Sequence, residues 1–287
     1  MPIHAPAKLN LCLYLGPRRD DGMHELCSLF EPLTLSDLIE VEEAKSDEVI
    51  CAGVEGENLA ARALAALRER GWKGPPLRVR IEKRIPVAAG LGGGSADAAA
   101  VLRLAANRDF LSHGGKKSPA LDLEAIAAEL GADVPSQLNP SPALVRGAGE
   151  QVEPLPQPRP HAVVLLPGGG GLSTAEVFAE ADRLGLGRSA KELEELAGRL
   201  RSAAGAGASP LSYTELLGND LEPAARSLRP DIDVALDALR AAGAPHALLT
   251  GSGPTAFGLF PGVEQAHAAA AELDRDDAIV CEAGRPS

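Results

Sequence analysis

Residues 86–96 read PVAAGLGGGSA and separate a predicted strand from a predicted helix. Four glycines in this stretch let the backbone curl around an anion, and the first turn of the following helix offers unpaired N–H groups. Ser95 adds a hydroxyl for a phosphate oxygen or a magnesium ion. A glycine-rich surface loop is the competing interpretation, but the strand–loop–helix order favours a phosphate site. The predicted phosphate-binding loop consists of Pro86, Val87, Ala88, Ala89, Gly90, Leu91, Gly92, Gly93, Gly94, Ser95 and Ala96.

Two common phosphate-binding loops do not match this stretch. A Walker A loop has a lysine followed by Ser or Thr after its glycines, whereas Ser95 follows Gly94 directly. A dinucleotide fingerprint places an acidic residue after the next strand, whereas Asp109 ends a predicted helix. The charge of a bound phosphate must therefore be neutralised by other groups, for which Lys8 and a bound magnesium ion are the candidates.

The residues before and after the loop predict an α+β chain. Leucines at the odd positions of 9–15 predict a half-buried strand, with Lys8 and Asn10 together on its other face. A second alternating strand is predicted over 77–85 and ends at Pro86. Helices are predicted after the cap residue Asn58, over 96–106 and over 122–130.

Proline residues mark two further features. Pro135 is expected to hold Val134 in an extended conformation, which places Asp133 in a short, stiff loop. Prolines at 154, 156, 158 and 160 predict an extended connector, so we divide the chain into domains 1–154 and 155–287. In the second domain, strands are predicted over 161–166, 247–250, 255–260 and 278–281, helices from 173 and over 231–242 and 263–273, and a flexible loop over 202–209.

The composition excludes several classes of protein. The 287 residues carry 28 basic and 40 acidic side chains, a net charge of −12, so no overall positive field attracts nucleic acid or an anionic membrane. The four cysteines form no CxxC pair, which argues against a zinc site or a disulfide framework. The N-terminal residues lack the pattern of a signal peptide, and we expect a cytoplasmic enzyme.

Five stretches in order resemble the GHMP kinase family: PAKLNL at 6–11, DGMHEL at 21–26, the glycine loop, GADVP at 131–135 and GSG at 251–253. The resemblance covers nearly the whole chain. It implies the GHMP kinase fold, with an N-terminal domain like ribosomal protein S5, a ferredoxin-like C-terminal domain and an active site between them. It also implies ATP with Mg²⁺ as cofactor, although no carboxylate in the sequence identifies itself as a metal ligand.

The resemblance also assigns the catalytic pair. It implies that Asp133 is the base for the substrate hydroxyl and that Lys8 lies near both that hydroxyl and the transferred phosphate. The chemistry agrees, since a carboxylate can accept the proton of an alcohol and a lysine can stabilise charge on the transferring group. Taken alone, Asp133 would be read as a solvated loop carboxylate and Lys8 as a charge at a strand edge.

The resemblance further implies a cytidine-binding site. His24 corresponds to the family's reader of the cytosine edge, although a histidine that caps a local turn is the competing interpretation. Phe178 stands where the family places an aromatic ring against the base, and Met23 replaces a tyrosine that usually stacks on it. The remaining substrate-binding candidates are Asn10, Ser173 and Thr174.

The implied reaction is phosphorylation of the 2-hydroxyl of 4-diphosphocytidyl-2-C-methyl-D-erythritol, in the non-mevalonate route to isoprenoids. One alternative keeps the fold and changes the acceptor to a sugar, homoserine or a mevalonate-like alcohol. A catalytically inactive nucleotide-binding protein is a second alternative, and a dinucleotide-dependent oxidoreductase is a more distant third. The sequence predicts no nucleic acid or membrane partner and leaves the oligomeric state open.

Overall fold

A computed structural model describes residues 2–54, 56, 58–105 and 120–284. The described residues form ten strands: β1 Ile3–Arg18, β2 His24–Glu43, β3 Glu48–Cys51, β4 Leu77–Glu82, β5 Ala143–Gly147, β6 Gln151–Pro154, β7 Ala162–Leu166, β8 His246–Leu249, β9 Ala256–Phe260 and β10 Ile279–Glu282. They also form nine α-helices: α1 Leu59–Glu69, α2 Gly93–Leu104, α3 Leu123–Leu130, α4 Val134–Leu138, α5 Thr174–Leu184, α6 Ala190–Ala204, α7 Glu222–Leu228, α8 Asp231–Ala241 and α9 Val263–Glu272. Two 3₁₀ turns lie at Pro210–Ser212 and Thr214–Leu216.

The long strand β2 organises the first sheet. It pairs antiparallel with β1 along one edge, while its other edge pairs with β5 near its start and with β4 near its end. The sheet is completed by β3 next to β4 and by β6 next to β5. Helices α1 and α2 cover it, because their apolar sides, including Leu64 and Leu102, join a buried cluster with Val79 and Ile81 of β4.

The second sheet belongs to the C-terminal part of the chain. Its strand order is β10–β7–β9–β8, and all neighbours are antiparallel. Along the chain the strands alternate with helices as β-α-β-β-α-β, when the helices between β7 and β8 are taken as one layer. This order agrees with the ferredoxin-like arrangement that the sequence predicts for this half.

Strand β1 joins the two halves. Leu13 and Leu15 belong to the same buried cluster as Val164 of β7 and Leu221, and the Leu13 backbone accepts a hydrogen bond of 2.8 Å from the Asp220 N–H. The prediction of a half-buried strand is therefore wrong: positions 5–16 are buried on both faces, because Leu9 and Leu11 pack with Val163 and Leu165 while Leu13 and Leu15 join the cluster around Val164.

The strands predicted over 77–85, 161–166 and 255–260 are present at 77–82, 162–166 and 256–260. The helix capped by Asn58 is also confirmed, and the Asn58 side chain accepts the Ala60 N–H at 2.8 Å. The helix predicted over 96–106 begins three residues earlier, at Gly93. Ala106 and Asp109 lie outside the described residues.

Two loop predictions are wrong. Val134 is helical, because Pro135 occupies the second position of α4, where a helix needs no N–H from it. The segment 202–209 is only partly a loop, since α6 continues to Ala204, which packs into the core. No helix within the described ranges is both long and apolar enough to cross a membrane.

Candidate active site

Two clefts meet at the glycine loop. The first, of about 330 Å³, we call the lysine cleft; Lys8, Asn10 and Asp133 line it. The second, of about 480 Å³, we call the loop cleft; all residues from Pro86 to Ser95 line it. Both clefts reach Gly90, Gly92, Ser95 and Thr174, so a group bound in one can touch a group bound in the other. Ala96, the last residue of the predicted loop, is instead buried in α2.

The curl of the loop depends on two glycines in the left-handed region. Gly90 has φ +76° and Gly92 has φ +69°, a conformation that strains any residue with a side chain. Space is also missing: an added Cβ would lie 2.8 Å from the Gly253 carbonyl oxygen at Gly90 and 2.8 Å from Lys8 Cγ at Gly92. The close approach of the backbone to Lys8 brings the start of α2 to the lysine cleft.

Lys8 lies buried in the lysine cleft, next to Gly92, which lines both clefts. Its Nζ is 3.3 Å from Asp133 Oδ2 and donates a 2.5 Å hydrogen bond to Asn10 Oδ1. The same nitrogen lies 5.0 Å from the centroid of the Phe30 ring, a favourable position for a cation. The Lys8 side chain is only 8% exposed against 33% for Asp133, so the carboxylate is the more open member of the pair.

Asn10 is held by groups from both halves of the molecule. Its Nδ2 donates to Ser28 Oγ at 2.8 Å, and its backbone N–H donates to Thr250 Oγ1 at 2.9 Å. The loop is fixed in the same way, because Lys8 N–H donates to the Leu91 carbonyl at 3.0 Å and Thr255 Oγ1 donates to the Ala89 carbonyl at 2.7 Å. Sequence reasoning missed Ser28 and Thr255, which have no signal beyond a strand position.

Asp133 stands at the start of α4 rather than in a stiff loop. Gly131 ends α3, the chain turns within two residues, and the buried Val134 anchors the new helix against α2. The turn leaves the Asp133 carboxylate on the wall of the lysine cleft. The predicted catalytic pair is therefore brought together, with its role still to be tested.

Of the residues predicted to hold the cytidine, two line the lysine cleft and a third lies next to one of them. Met23, whose surface is 46% exposed, and Phe178 both line it, and the His24 ring lies beside Phe178 with centroids 5.6 Å apart. Thr174 also lines the cleft and shares a 2.9 Å hydrogen bond with Ser252 Oγ. Ser173 caps α5 by accepting the Glu176 N–H. Its proposed contact with substrate stays a prediction.

A buried charge cluster that sequence reasoning missed lies beside the loop cleft. Lys83 Nζ bonds both Asp37 Oδ2 and, at 2.8 Å, Asp97 Oδ2 in α2. Asp37 also accepts the N–H groups of Arg84 and Ile85, whereas Asp97 Oδ1 is buried without a partner among the described residues. Burial raises the pKa of Asp97 to about 7, against the opposing effect of Lys83. The alternation that predicts β4 carried no sign of this cluster.

Within the described ranges, no group of three or more His, Cys, Asp or Glu side chains could hold a metal ion. Magnesium, however, binds proteins mainly through phosphate and water oxygens with one or two protein ligands, so a nucleotide site does not require such a group. The Ser95 hydroxyl, on the wall shared by both clefts, suits that limited role.

Comparison with known proteins gives the same class as the fold and the site. Residues 58–143 match the GHMP kinases N terminal domain, and residues 198–278 match the GHMP kinases C terminal domain. A homoserine kinase from Cytophaga hutchinsonii superposes with a TM-score of 0.71 over 99% of this chain and 94% of that chain, at 18% identity. That likeness shows the fold alone. By fold and by the arrangement of its clefts, the chain is a GHMP kinase.

The more similar relatives narrow the class. A 4-diphosphocytidyl-2-C-methyl-D-erythritol kinase of Mycolicibacterium gilvum (strain PYR-GCK) is 43% identical over 265 residues, which are 88% of this chain and 80% of that protein. A crystal structure of 4-(cytidine 5'-diphospho)-2C-methyl-D-erythritol kinase superposes with a TM-score of 0.79 at 35% identity, covering 99% of both chains. The chain belongs to the 4-diphosphocytidyl-2-C-methyl-D-erythritol kinase family.

Proposed function

We propose that this chain transfers the γ-phosphate of ATP to the 2-hydroxyl of 4-diphosphocytidyl-2-C-methyl-D-erythritol, which yields the 2-phosphate and ADP in the non-mevalonate route to isoprenoids. The observation that carries the proposal is the position of Lys8, which contacts Asp133 and Asn10 in the lysine cleft and lies against Gly92 of the glycine loop. The triphosphate would lie on the glycine loop in the loop cleft, and the acceptor in the lysine cleft.

In the proposed reaction, Asp133 accepts a proton and Lys8 stabilises charge on the phosphate. The acceptor hydroxyl oxygen attacks the γ-phosphorus while its proton passes to the Asp133 carboxylate, and the bond to the bridging oxygen of ADP breaks. Lys8, a compact charge with three donors, uses two of them on Asn10 and Asp133. Its third can stabilise charge on the transferring phosphoryl group, where preorganised donors contribute most.

We propose Mg²⁺ as the partner of ATP, with Ser95 as the protein group that would help to hold it. When bound, the ion neutralises the charge of the phosphate oxygens. We also propose that the reaction takes place in the cytoplasm, where ATP and a charged diphosphate ester are available.

An ADP-release assay tests the proposal. The purified protein should turn over the cytidine diphosphate ester and leave homoserine and mevalonate unused. Asp133→Asn should lower kcat by about 10² to 10⁴, the usual contribution of a general base. Asp276→Asn, at an exposed position, is the matched control and should keep full activity.

Equal or faster turnover of homoserine or mevalonate would contradict the acceptor assignment. ATP binding without turnover of any of these alcohols would instead support the inactive nucleotide-binding protein. Unchanged kcat in Asp133→Asn would remove that residue from the reaction.

A further inference from the structure

Asn219 is a buried side chain to which the proposed reaction gives no role. It is only 9% exposed and is not among the residues that line the two clefts. Its Nδ2 donates to the Leu249 carbonyl at 2.7 Å and to the Gly251 carbonyl at 2.8 Å, and its Oδ1 accepts the Leu221 N–H at 2.9 Å. Because a carbonyl oxygen only accepts hydrogen bonds, the amide must turn its two donor hydrogens towards the end of β8 and the residues that follow it.

The backbone around Asn219 is bonded to β1, the strand that carries the predicted catalytic lysine. The Leu13 N–H donates to the Gly218 carbonyl at 2.8 Å, and the Leu13 carbonyl accepts the Asp220 N–H at 2.8 Å. Asn219 therefore lies beside Leu13 in a parallel bridge. One residue thus joins β1, through its backbone, to the chain that follows β8, through its side chain.

The chain that follows β8 is a turn at residues 250–253, which we call the GSG turn. One side of the turn contacts the lysine strand. Thr250 Oγ1 accepts the Asn10 N–H at 2.9 Å, and a Cβ added at Gly251 would lie 3.1 Å from Asn10 Oδ1 and 3.7 Å from Lys8 Nζ. The backbone of the turn therefore packs directly against the pair that Lys8 forms with Asn10.

The other side of the GSG turn contacts the glycine loop. A Cβ added at Gly90 would lie only 2.8 Å from the Gly253 carbonyl oxygen, so the two backbones are in close contact. Thr255, just after the turn, donates from Oγ1 to the Ala89 carbonyl at 2.7 Å. The GSG turn therefore lies between the glycine loop and Lys8, and a shift of the turn would disturb the alignment of the two.

We propose that Asn219 is a positioning residue that holds the GSG turn against Lys8 and so aligns the lysine with the phosphate group on the glycine loop. Its backbone is bonded to the lysine strand and its side chain to the turn, so the amide fixes the one relative to the other. Transition-state stabilisation depends on this alignment, since a misplacement of about 1 Å can cost about 10²-fold in rate. The inference rests on the proposed function and adds a residue that acts without touching substrate.

Asn219→Ser tests this role. A hydroxyl can still accept the Leu221 N–H, but its single hydrogen cannot serve both carbonyls. We expect kcat to fall about 10- to 100-fold, while KM for ATP and KM for the cytidine ester each stay within about threefold. The clefts keep their lining residues, so the loss falls on the transition state rather than on binding. ADP release at varied concentrations of each substrate measures the three constants.

Tyr14→Phe is the matched control for the loss of a buried donor. The Tyr14 hydroxyl donates to the Leu216 carbonyl at 2.7 Å, three residues before Asn219 along the chain. Both variants should lower the urea midpoint of unfolding, because each leaves a buried carbonyl without its donor. Tyr14→Phe should nevertheless keep kcat within about twofold. An equal fall of kcat in the two variants would show that Asn219 acts only on stability and would overturn the inference.

A second variant decides the question if Asn219→Ser does not fold. Thr250→Val keeps the shape of the side chain and removes the acceptor of the Asn10 N–H, so it should lower kcat with both KM values nearly unchanged. Full kcat in Thr250→Val would contradict the role of the turn.

A crystal structure gives a readout that does not depend on activity. In folded Asn219→Ser, the GSG turn should be displaced from Asn10 relative to the unmodified protein, and an undisplaced turn would overturn the inference. Absence of turnover of the cytidine ester by the unmodified protein would contradict the proposed function instead.

Discussion

Met23 is predicted to pack against the cytosine base, but the residue is exposed to solvent. It is 46% exposed and lines the lysine cleft together with Phe178. A thioether is polarizable and flexible, but it offers less flat area than an aromatic ring.

We therefore expect Met23→Tyr to lower KM for the cytidine ester by about 3- to 10-fold, the gain typical of an aromatic pair, with kcat within about twofold. Steady-state kinetics with saturating ATP measures both constants. Met23→Leu is the matched control and should leave KM near its original value. A raised KM in Met23→Tyr would show that the base does not stack at this position.

The residues proposed for chemical roles and the residues that hold them in place differ in how far the sequence predicts them. Lys8, Asn10 and Asp133 were predicted because short motifs surround them, and the structure brings them together. Ser28 and Thr250, which fix Asn10, are 18 and 240 positions away along the chain. Single hydroxyl residues on strands carry no pattern, so only the packing of the strands reveals their contacts.

At the level of elements, the glycine loop and the start of α2 depend on glycines that are not equivalent. Gly92 has φ +69° and would place a Cβ 2.8 Å from Lys8 Cγ. Gly94, two residues further, lies inside α2, and its nearest neighbour would be Leu59 Cδ1 at an ordinary 3.6 Å.

Gly92→Ala should therefore displace Lys8 and lower kcat by about 10²-fold, a loss typical when a positioned donor moves. Gly94→Ala is the matched control and should keep kcat within about threefold, because alanine favours the helix. The measurement is kcat from ADP release together with a circular dichroism melt. Similar kcat values for the two folded variants would contradict the close packing of Lys8 against the loop.

Because Asp97 of α2 belongs to the cluster of Lys83, Asp37 and Asp97, we expect the stability of the fold to depend on pH. Burial raises the pKa of Asp97 to about 7, above its value in the unfolded chain. A carboxylate of this kind contributes stability at pH values below its unfolded pKa of about 4, and the contribution is lost as the pH rises through its folded value. The folded protein therefore loses stability from this group between about pH 4 and pH 7.

Asp97→Asn removes that loss because an amide does not titrate, while Lys83 keeps Asp37 as its partner. Between pH 5 and pH 8, the free energy of unfolding of the original protein should fall by about 2 kcal/mol relative to Asp97→Asn. Urea unfolding at the two pH values measures the difference. Asp237→Asn, at a 75% exposed position, should show no such change. If the free energy of unfolding changes equally with pH in Asp97→Asn and in the original protein, the expectation is wrong.

Helices and strands whose apolar residues follow one constant period were predicted from the sequence, whereas the central strand β2 was not. The alternation of β4 gave its position correctly, as did the cap and apolar stripe of α1. The twenty residues of β2 escaped, because Pro32 pairs with Lys8 next to a register shift in the β1–β2 ladder. A strand that changes its partner on one edge and its register on the other shows no constant alternation.

At the scale of the whole molecule, a buried ion pair ties β2 to the start of the second half. His161 Nε2 lies 3.0 Å from Glu31 Oε2, and both side chains are almost fully buried. Burial alone would lower the pKa of His161, but the hydrogen bond and charge of Glu31, with the Arg159 carbonyl, outweigh it and raise the pKa. A raised pKa means that the pair stabilises the fold fully below the unfolded pKa of about 6.5, and less as the pH rises through the folded value.

His161→Gln should therefore cost more at pH 6 than at pH 9, with a loss of about 1 to 3 kcal/mol at the lower pH, as for a hydrogen bond to a charged group. Urea unfolding at both pH values gives the comparison. His267→Gln, on the exposed side of α9, should have little effect at either pH. An equal cost of His161→Gln at both pH values would show that the pair does not titrate with folding.

Strand β1 forms much of the contact between the two halves of the molecule. Its leucines pack with β7 and its backbone bonds to residues 218 and 220, so the contact between the halves is built into the core. The connector that follows Pro154 is exposed at Pro156, Gln157 and Pro160, and its backbone bonds are limited to those of Leu155 N–H to the Pro142 carbonyl and Arg159 N–H to the Gly207 carbonyl among the described residues.

A protease site inserted between Gln157 and Pro158 should therefore give a nicked protein whose two fragments stay associated. Size-exclusion chromatography after cleavage should show one peak at the mass of the intact chain, with ADP release retained, and two separate peaks would contradict it. Because the halves share one buried core, we expect both substrates to reach the two clefts while the halves stay in contact.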